Sequence, residues 1–546
     1  MKPVLENRHY YLDNFEMALR WVQQRYDDLL SGAEREFIRH FQALPRASRA
    51  LLVRMIMRKG TLFRSSKLRY DEIGSAPLAA QALIGLGWLD PRPALTLEQL
   101  FGLLTKVELA DAFGEQLPDR YARKADQFQA LKDRHTDALS FDAWYPTAAG
   151  CVYELLVMPL CDCLRLMFFG NLRQDWSEFV LADLGLYVYE KVEFSASSRI
   201  FHSRRDIDDY VHLHDCRERF RAGADAEAIL LDVPSEPYLN EWLEQRRAKL
   251  LFQLGRHHEK NRDWARAYDL YAQCTYPGAR SRSVRVLERG ERFEQALQLA
   301  QAAQQQPEGE AEKQQIDRMM PRLLRKLGRP CPARPGVAPF TTLTLTVPRP
   351  QLPMAVEELA LGYFQQPQGP VYYVENTLVN SLFGLLCWDA IFAALPGAFF
   401  HPFQRAPADL YNADFCRRRE DLFELCLAQL DSGAYRHTIE RNYKNKAGIQ
   451  CEFVAWGIVN DTILDHALAC IPALHLKKWF ERILLDIPAH RSGFPDLIQF
   501  WPLEKRYRMI EIKGPGDRLQ DNQLRWFDYC AAHDMPVAVC YVRWAQ

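Results

Sequence analysis

The sequence predicts a multidomain, mostly α-helical protein that closes on a small α/β domain. Three observations carry this reading. Apolar residues recur at three- and four-residue spacing through the first 230 or so positions, for example over Tyr11 to Ala43 and Ser48 to Met57. A proline-rich stretch from Gly328 to Pro353, with Thr341, Thr342, Thr344 and Thr346, then breaks the helical pattern. After Gly493 the pattern changes to strand-like runs around one helix. A chain of 546 residues, 48% hydrophobic, is long enough for several cores.

Net charge is −1, so any affinity for a polyanion must come from local clusters. One such cluster is Arg46, Arg49, Arg54, Arg58, Lys59, Arg64, Lys67 and Arg69, a segment without a single acid. Leu51, Leu52, Ile56 and Phe63 would anchor it to a core while the cations face a phosphate backbone. A solvated helix surface gives the same pattern. Residues 95–113 read as two short Leu-spaced helices, which resemble a SAP-type DNA-binding module and equally fit a generic helical hairpin.

Composition excludes several function classes. The 13 cysteines are scattered and form no Cys-x-x-Cys, which argues against zinc ribbons and disulfide frameworks and fits a reducing compartment. The N-terminus has no apolar signal core, and the stretch from Leu155 to Phe169 is broken by Asp162 and Arg165, so no membrane span is expected. No Gly-Lys-Ser/Thr occurs, so a nucleotide P-loop is absent.

Helical-hairpin repeats are expected over 240–305. Trp264 recurs as Phe293 and Ala267 as Ala296, each pair following a turn. The array resembles TPR repeats, although its 29-residue offset is below the usual period of about 34. Its default role is scaffold. The expected division is a helical region 1–230 with the SAP-like module, TPR-like repeats and linker 231–345, and a C-terminal domain 346–546.

The chemistry lies in Gly493-Phe494-Pro495-Asp496-Leu497-Ile498 and Met509-Ile510-Glu511-Ile512-Lys513. A turn at Pro502–Lys505 would pair 501 with 506 and 498 with 509. Asp496 would then lie opposite Glu511, roughly 5 Å apart on one face, with Lys513 on the same face and Ile510 and Ile512 on the other. Paired carboxylates repel unless a cation compensates, and hard oxygen ligands select Mg²⁺ or Mn²⁺. Lys513 would orient water or stabilise a pentavalent phosphate. A surface acid pair is the alternative reading. Glu375, expected to begin a helix running to about Leu395, is the candidate third acid; a carboxylate favoured by the helix dipole explains it too. Asp517 would cap a helix through about Ala532, on which Gln523 touches DNA or covers the sheet. Pro536 to Val542 reads as a closing strand.

These blocks, with Gly514-Pro515-Gly516-Asp517-Arg518 through Gln523 and Cys540-Tyr541-Val542-Arg543-Trp544, resemble the VRR-NUC branch of the PD-(D/E)xK nucleases. Phe169 to Gly185 and His401 to Tyr411 are similar to the Fanconi-associated nuclease family. The resemblance implies a restriction-endonuclease-like domain in a structure-specific DNA endonuclease favouring 5′ flaps, with 5′-to-3′ exonuclease activity and a role in interstrand crosslink repair. It also implies Glu375, Asp496, Glu511 and the Ile512 carbonyl as ligands of one or two Mg²⁺ or Mn²⁺ ions, and Lys513 as the catalytic lysine. The ubiquitin-binding zinc finger of eukaryotic relatives is missing, which points to a bacterial-type, cytoplasmic member; a eukaryotic one would be nuclear. Arg417, Arg418, Arg419, Arg436, Arg441, Lys444 and Lys446 are further candidates to line a DNA channel. A monomer acting on branched or flapped DNA is expected. The rivals are a dimeric Holliday-junction resolvase and a repeat scaffold carrying a dead nuclease fold.

Overall fold

The computed structural model describes residues 7–545 except 118, 120, 184, 186, 196, 197, 332–339 and 413. Leu184 of the family motif and the middle of the proline-rich stretch therefore lie outside the described residues. The chain divides into two compact units, residues 1–187 with 199–208, and residues 188–198 with 209–546. No described helix is long and apolar enough to cross a membrane.

The first unit is helical around a small sheet, β1 (Leu62–Arg64), β2 (Leu89–Asp90) and β3 (Val152–Leu155), in the order β1-β3-β2. The two short Leu-spaced helices are Leu97–Leu103 and Lys106–Phe113. Capping boxes Thr96/Gln99 and Thr105/Glu108 satisfy their free N–H groups. The basic segment 46–69 is only partly a free cationic face. Arg49 pairs with Glu16 and Arg54 with Glu72. Arg64 is buried and pairs with Glu108 at 2.5 Å. Arg46, Arg58, Lys59, Lys67 and Arg69 remain exposed.

In the second unit, the region where repeats are expected holds the helices Glu241–Lys260, Trp264–Ala272, Ala279–Arg289, Phe293–Gln305 and Glu310–Lys326. Small residues sit where helices cross. Ala267 and Ala296 are fully buried, and a Cβ on Gly255 would stand 2.7 Å from the Tyr271 ring. The last repeat helix docks on the C-terminal domain, with Glu310 bound to Arg482 at 2.5 Å and Gln314 accepting from Arg525 at 2.7 Å.

The C-terminal sheet has the order β4-β8-β7-β6-β5, made of β4 (Thr341–Val347), β5 (Val371–Tyr373), β6 (Leu497–Trp501), β7 (Arg506–Lys513) and β8 (Val537–Trp544). β4 runs parallel to β8 and β8 to β7, whereas β6 is antiparallel to both β7 and β5. The β6–β7 register is the expected one, Trp501 opposite Arg506 and Ile498 opposite Met509. Alternation divides the sheet cleanly. Ile498, Phe500, Tyr507, Met509 and Val539 enter one core with Trp526 and Phe527 of the helix Asp521–Ala532. Leu497, Ile510, Ile512 and Cys540 enter the other with Ala360.

Gly328 to Pro353 reads as extended, non-helical chain, and Thr341–Val347 is extended; its place as linker needs correction, because it is an edge strand of this sheet. A boundary at 346 would cut it. Its alternating Thr and Leu suit a half-covered strand, and pairing with β8 outweighs the flanking prolines.

Candidate active site

The sheet positions the acids through backbone bonds. Val374 N–H donates to the Asp496 carbonyl at 2.8 Å, extending the β5–β6 pairing by one step. The chain then turns at Glu375–Thr377, and the helix begins only at Leu378, ending at Leu386. Glu375 therefore sits in a turn and does not start a helix. The reason is Asn376, whose positive φ of 51° breaks helical geometry. Its Oδ1 accepts from the N–H groups of Gly493 (2.7 Å) and Phe494 (3.1 Å). Gly493 has φ +97°, and a Cβ there would stand 2.9 Å from the Asn522 carbonyl carbon, so only glycine fits. This clamp ties the Glu375 turn to the strand that carries Asp496.

Asp496 and Glu511 are both buried, Glu511 to 1% exposure. Asp496 Oδ2 accepts from the Ile512 N–H at 2.8 Å. Lys513 Nζ stands 2.8 Å from Glu511 Oε1. Glu511 Oε2 has no hydrogen-bond partner among the described residues. Burial, reinforced by Glu375 and Glu357, pushes the Asp496 carboxyl up to about 6; the Ile512 N–H and Lys513 oppose this. Burial and the facing Asp496 push Glu511 up to about 8, again against Lys513. Glu375 is exposed, its carboxylate accepting from the Tyr373 hydroxyl at 2.6 Å and from Asn376 at 3.3 Å. Among the described residues no three acids, histidines or cysteines are already gathered as a metal cluster. The structure thus brings Asp496, Glu511 and Lys513 together and leaves Glu375 exposed, bonded to Tyr373 and Asn376.

Gln523 belongs to this group, which neither sequence reading of it anticipated. Its Oε1 accepts from the Gln520 N–H at 2.8 Å, which fixes the amide so that Nε2 donates to Glu511 Oε1 at 2.5 Å. The helix cap is Gln520, and Asp517 instead accepts from the Gly514 N–H. Because Gln523 holds a carboxylate in place, Gln523→Ala should slow turnover by about tenfold or more with little change in KM, as expected for a lost orienting partner. Single-turnover and steady-state kinetics together check this.

Much of the second arginine set is structural. Arg419 makes a buried two-pronged pair with Asp409, at 2.9 and 3.0 Å, and Arg418 binds the same carboxylate. Lys446 binds Glu190 at 2.8 Å. Arg417, Arg436, Arg441 and Lys444 are exposed. Asp409→Ala would strand a buried guanidinium and should cost about 3 kcal/mol, read by urea denaturation.

Residues 430–544 match the VRR-NUC domain family, 94–144 the Fanconi anemia-associated nuclease SAP domain, and 9–90 the FAN1 HTH domain. The chain is 55% identical over 542 residues to the Fanconi-associated nuclease 1 homolog of Pseudomonas aeruginosa, covering 99% of this chain and 97% of that one. The chain belongs to the Fanconi-associated nuclease family. As a member of that family it is a DNA nuclease. It is similar to the crystal structure of paFAN1 bound to DNA with a 2-nucleotide 5′ flap and a gap, with TM-score 0.96 at 55% identity and full coverage of both chains. Similarity to the 1-nucleotide 5′-flap complex gives 0.93, covering 99% of this chain. The VRR-NUC domain of the Fanconi-associated nucleases implies use of a divalent metal. The match over residues 9–90 names an HTH domain where sequence reasoning saw only helices and a basic face.

Proposed function

We propose that this Fanconi-associated nuclease cuts branched DNA carrying a 5′ flap, using Mg²⁺ or Mn²⁺ held by Asp496, Glu511, Glu375 and the Ile512 carbonyl. The observation that carries the reading is the buried Asp496–Glu511 pair with its unpartnered Glu511 Oε2. An acceptor oxygen buried without a donor, beside a second carboxylate, is what a hard cation relieves. When bound, such an ion lowers the pKa of water and neutralises charge on the phosphate. The chain's own groups do the rest. Lys513 presents an ammonium beside Glu511, where charge gathers on a phosphodiester under attack. Gln523 keeps Glu511 from rotating. Glu375 would leave its Tyr373 partner to complete the ligand set. The exposed cations Arg46, Arg58, Lys59 and Lys67 hold the duplex, whereas Arg49, Arg54 and Arg64 orient that surface through their ion pairs.

Flap preference is supported by the similarity to a relative solved with 5′-flap DNA. The same reading extends to 5′-to-3′ exonuclease action and interstrand crosslink repair. The test is incubation with Mn²⁺ and end-labelled 5′ flaps, 3′ flaps, four-way junctions and plain duplex. Preferential cutting near the 5′-flap junction is expected. Symmetric paired cuts in the four-way junction, with flaps left intact, would replace this reading with a resolvase.

A further inference from the structure

The repeat helices carry a cavity that the active site does not use. Its volume is about 550 Å³, within the ~300–1,000 Å³ range of ligand sites. It lies between the helices Glu241–Lys260 and Ala279–Arg289, with Phe220 and Trp264 also in its wall. Arg256 and Lys260 are four residues apart on the first helix. Arg282, Arg285 and Arg289 follow at three- and four-residue steps on the second, so each helix turns a cationic stripe toward the cavity.

The charge of this lining is unbalanced. Glu259 is its one carboxylate. It is consumed by Arg282 at 2.7 Å and Arg285 at 2.9 Å, and it accepts from the Tyr271 hydroxyl at 2.9 Å. Arg256, Lys260 and Arg289 are exposed and have no acidic partner among the described residues. Like charges gathered in one concavity repel, and a bound anion relieves them. Flat rings stand among these cations. His257 packs edge-on to Phe220 at 5.7 Å between centroids, and Trp264 is half-buried nearby. An inorganic anion or an acidic peptide would use the cations and leave the rings idle. Phosphates on guanidinium groups with bases on aromatic faces is the chemistry of a single nucleic-acid strand.

We propose that this cavity holds single-stranded DNA, an unpaired arm of the branched substrate away from the phosphodiester being cut. The inference rests on the nuclease reading for the identity of the substrate, so binding and cleavage are measured separately.

The full chain in EDTA is titrated into a labelled oligothymidine of about 12 nucleotides, a length within the usual span of strand-binding sites. The triple variant Arg256→Glu/Lys260→Glu/Arg289→Glu should bind at least ~10-fold more weakly, with a salt slope shallower by about 2, from three cations at ~0.7 each. Unchanged affinity and slope would overturn the proposal. An iodouracil-substituted oligonucleotide, photo-crosslinked to the unaltered protein, tests the site without mutation. Adducts at Trp264, His257 or Phe220 are expected, and adducts confined to other regions would overturn it. Displacement of the oligonucleotide by an equimolar polyglutamate peptide would also overturn it, in favour of an acidic protein partner. Flap cleavage by the unaltered protein in Mn²⁺, run in parallel, tests the nuclease reading alone: strand binding without cleavage sinks that reading and leaves the cavity assignment standing.

Discussion

Asp496→Ala and Lys513→Ala proteins should cut 5′-flap DNA at least ~10³-fold more slowly than the unaltered protein while binding it with similar affinity. Groups aimed at charge that develops in the transition state are each worth ~10²–10³ in rate, and loss of a metal ligand adds to this. Asp496 accepts the Ile512 N–H, so its removal also frees the backbone of the residue whose carbonyl is a proposed ligand. Lys513 has its ammonium 2.8 Å from Glu511, and its loss removes the nearest positive charge from two buried acids. Binding should persist because phosphate contacts spread over a duplex carry most of the affinity. The measurement is single-turnover cleavage beside anisotropy in Ca²⁺. Near-normal cutting by either variant would end the assignment.

The second large effect is a link between pH, metal and folding. Burial raises Asp496 to about 6 and Glu511 to about 8, whereas unfolded carboxylates release their protons near pH 4. Between those values the folded state holds protons that the unfolded chain has lost. The contribution of this pair to stability therefore falls as pH rises from about 4 to about 8. A divalent ion takes the place of those protons, so it should bind more tightly and raise Tm more at pH 8 than at pH 6. Glu511→Gln removes one titrating group and should flatten the dependence in EDTA. Calorimetric scans of both proteins, with and without Mn²⁺, check this. Identical pH profiles for the two metal-free proteins would contradict it.

The hairpin was legible because a short turn and strict alternation leave one register, and that register alone puts Asp496 and Glu511 on one face. The lysine followed from the same period of two. What the sequence concealed was long-range. The absence of acids from 46–69 suggested a free cationic face, yet Glu16 and Glu108 reach it from other helices and Glu72 from a turn. Asn376 looked like one more helical residue because its partners, Gly493 and Phe494, lie more than a hundred positions away. The strands of the first unit have two to four residues, too few to show alternation. Gln523 was found on the right helix, and its role emerges only when β7 is placed beneath it.

β4 has a practical consequence for anyone wishing to excise the catalytic portion. It lies within the proline-rich stretch and zips along β8 from Thr341 to Val347. A fragment opened at residue 346 would bare a row of amide and carbonyl groups on β8, an invitation to stick to a neighbouring molecule. Beginning upstream of Thr341 keeps that border sealed. Cleavage chemistry in this protein is thus poorly portable: its sheet is stitched shut by sequence that looks, on paper, like a tether.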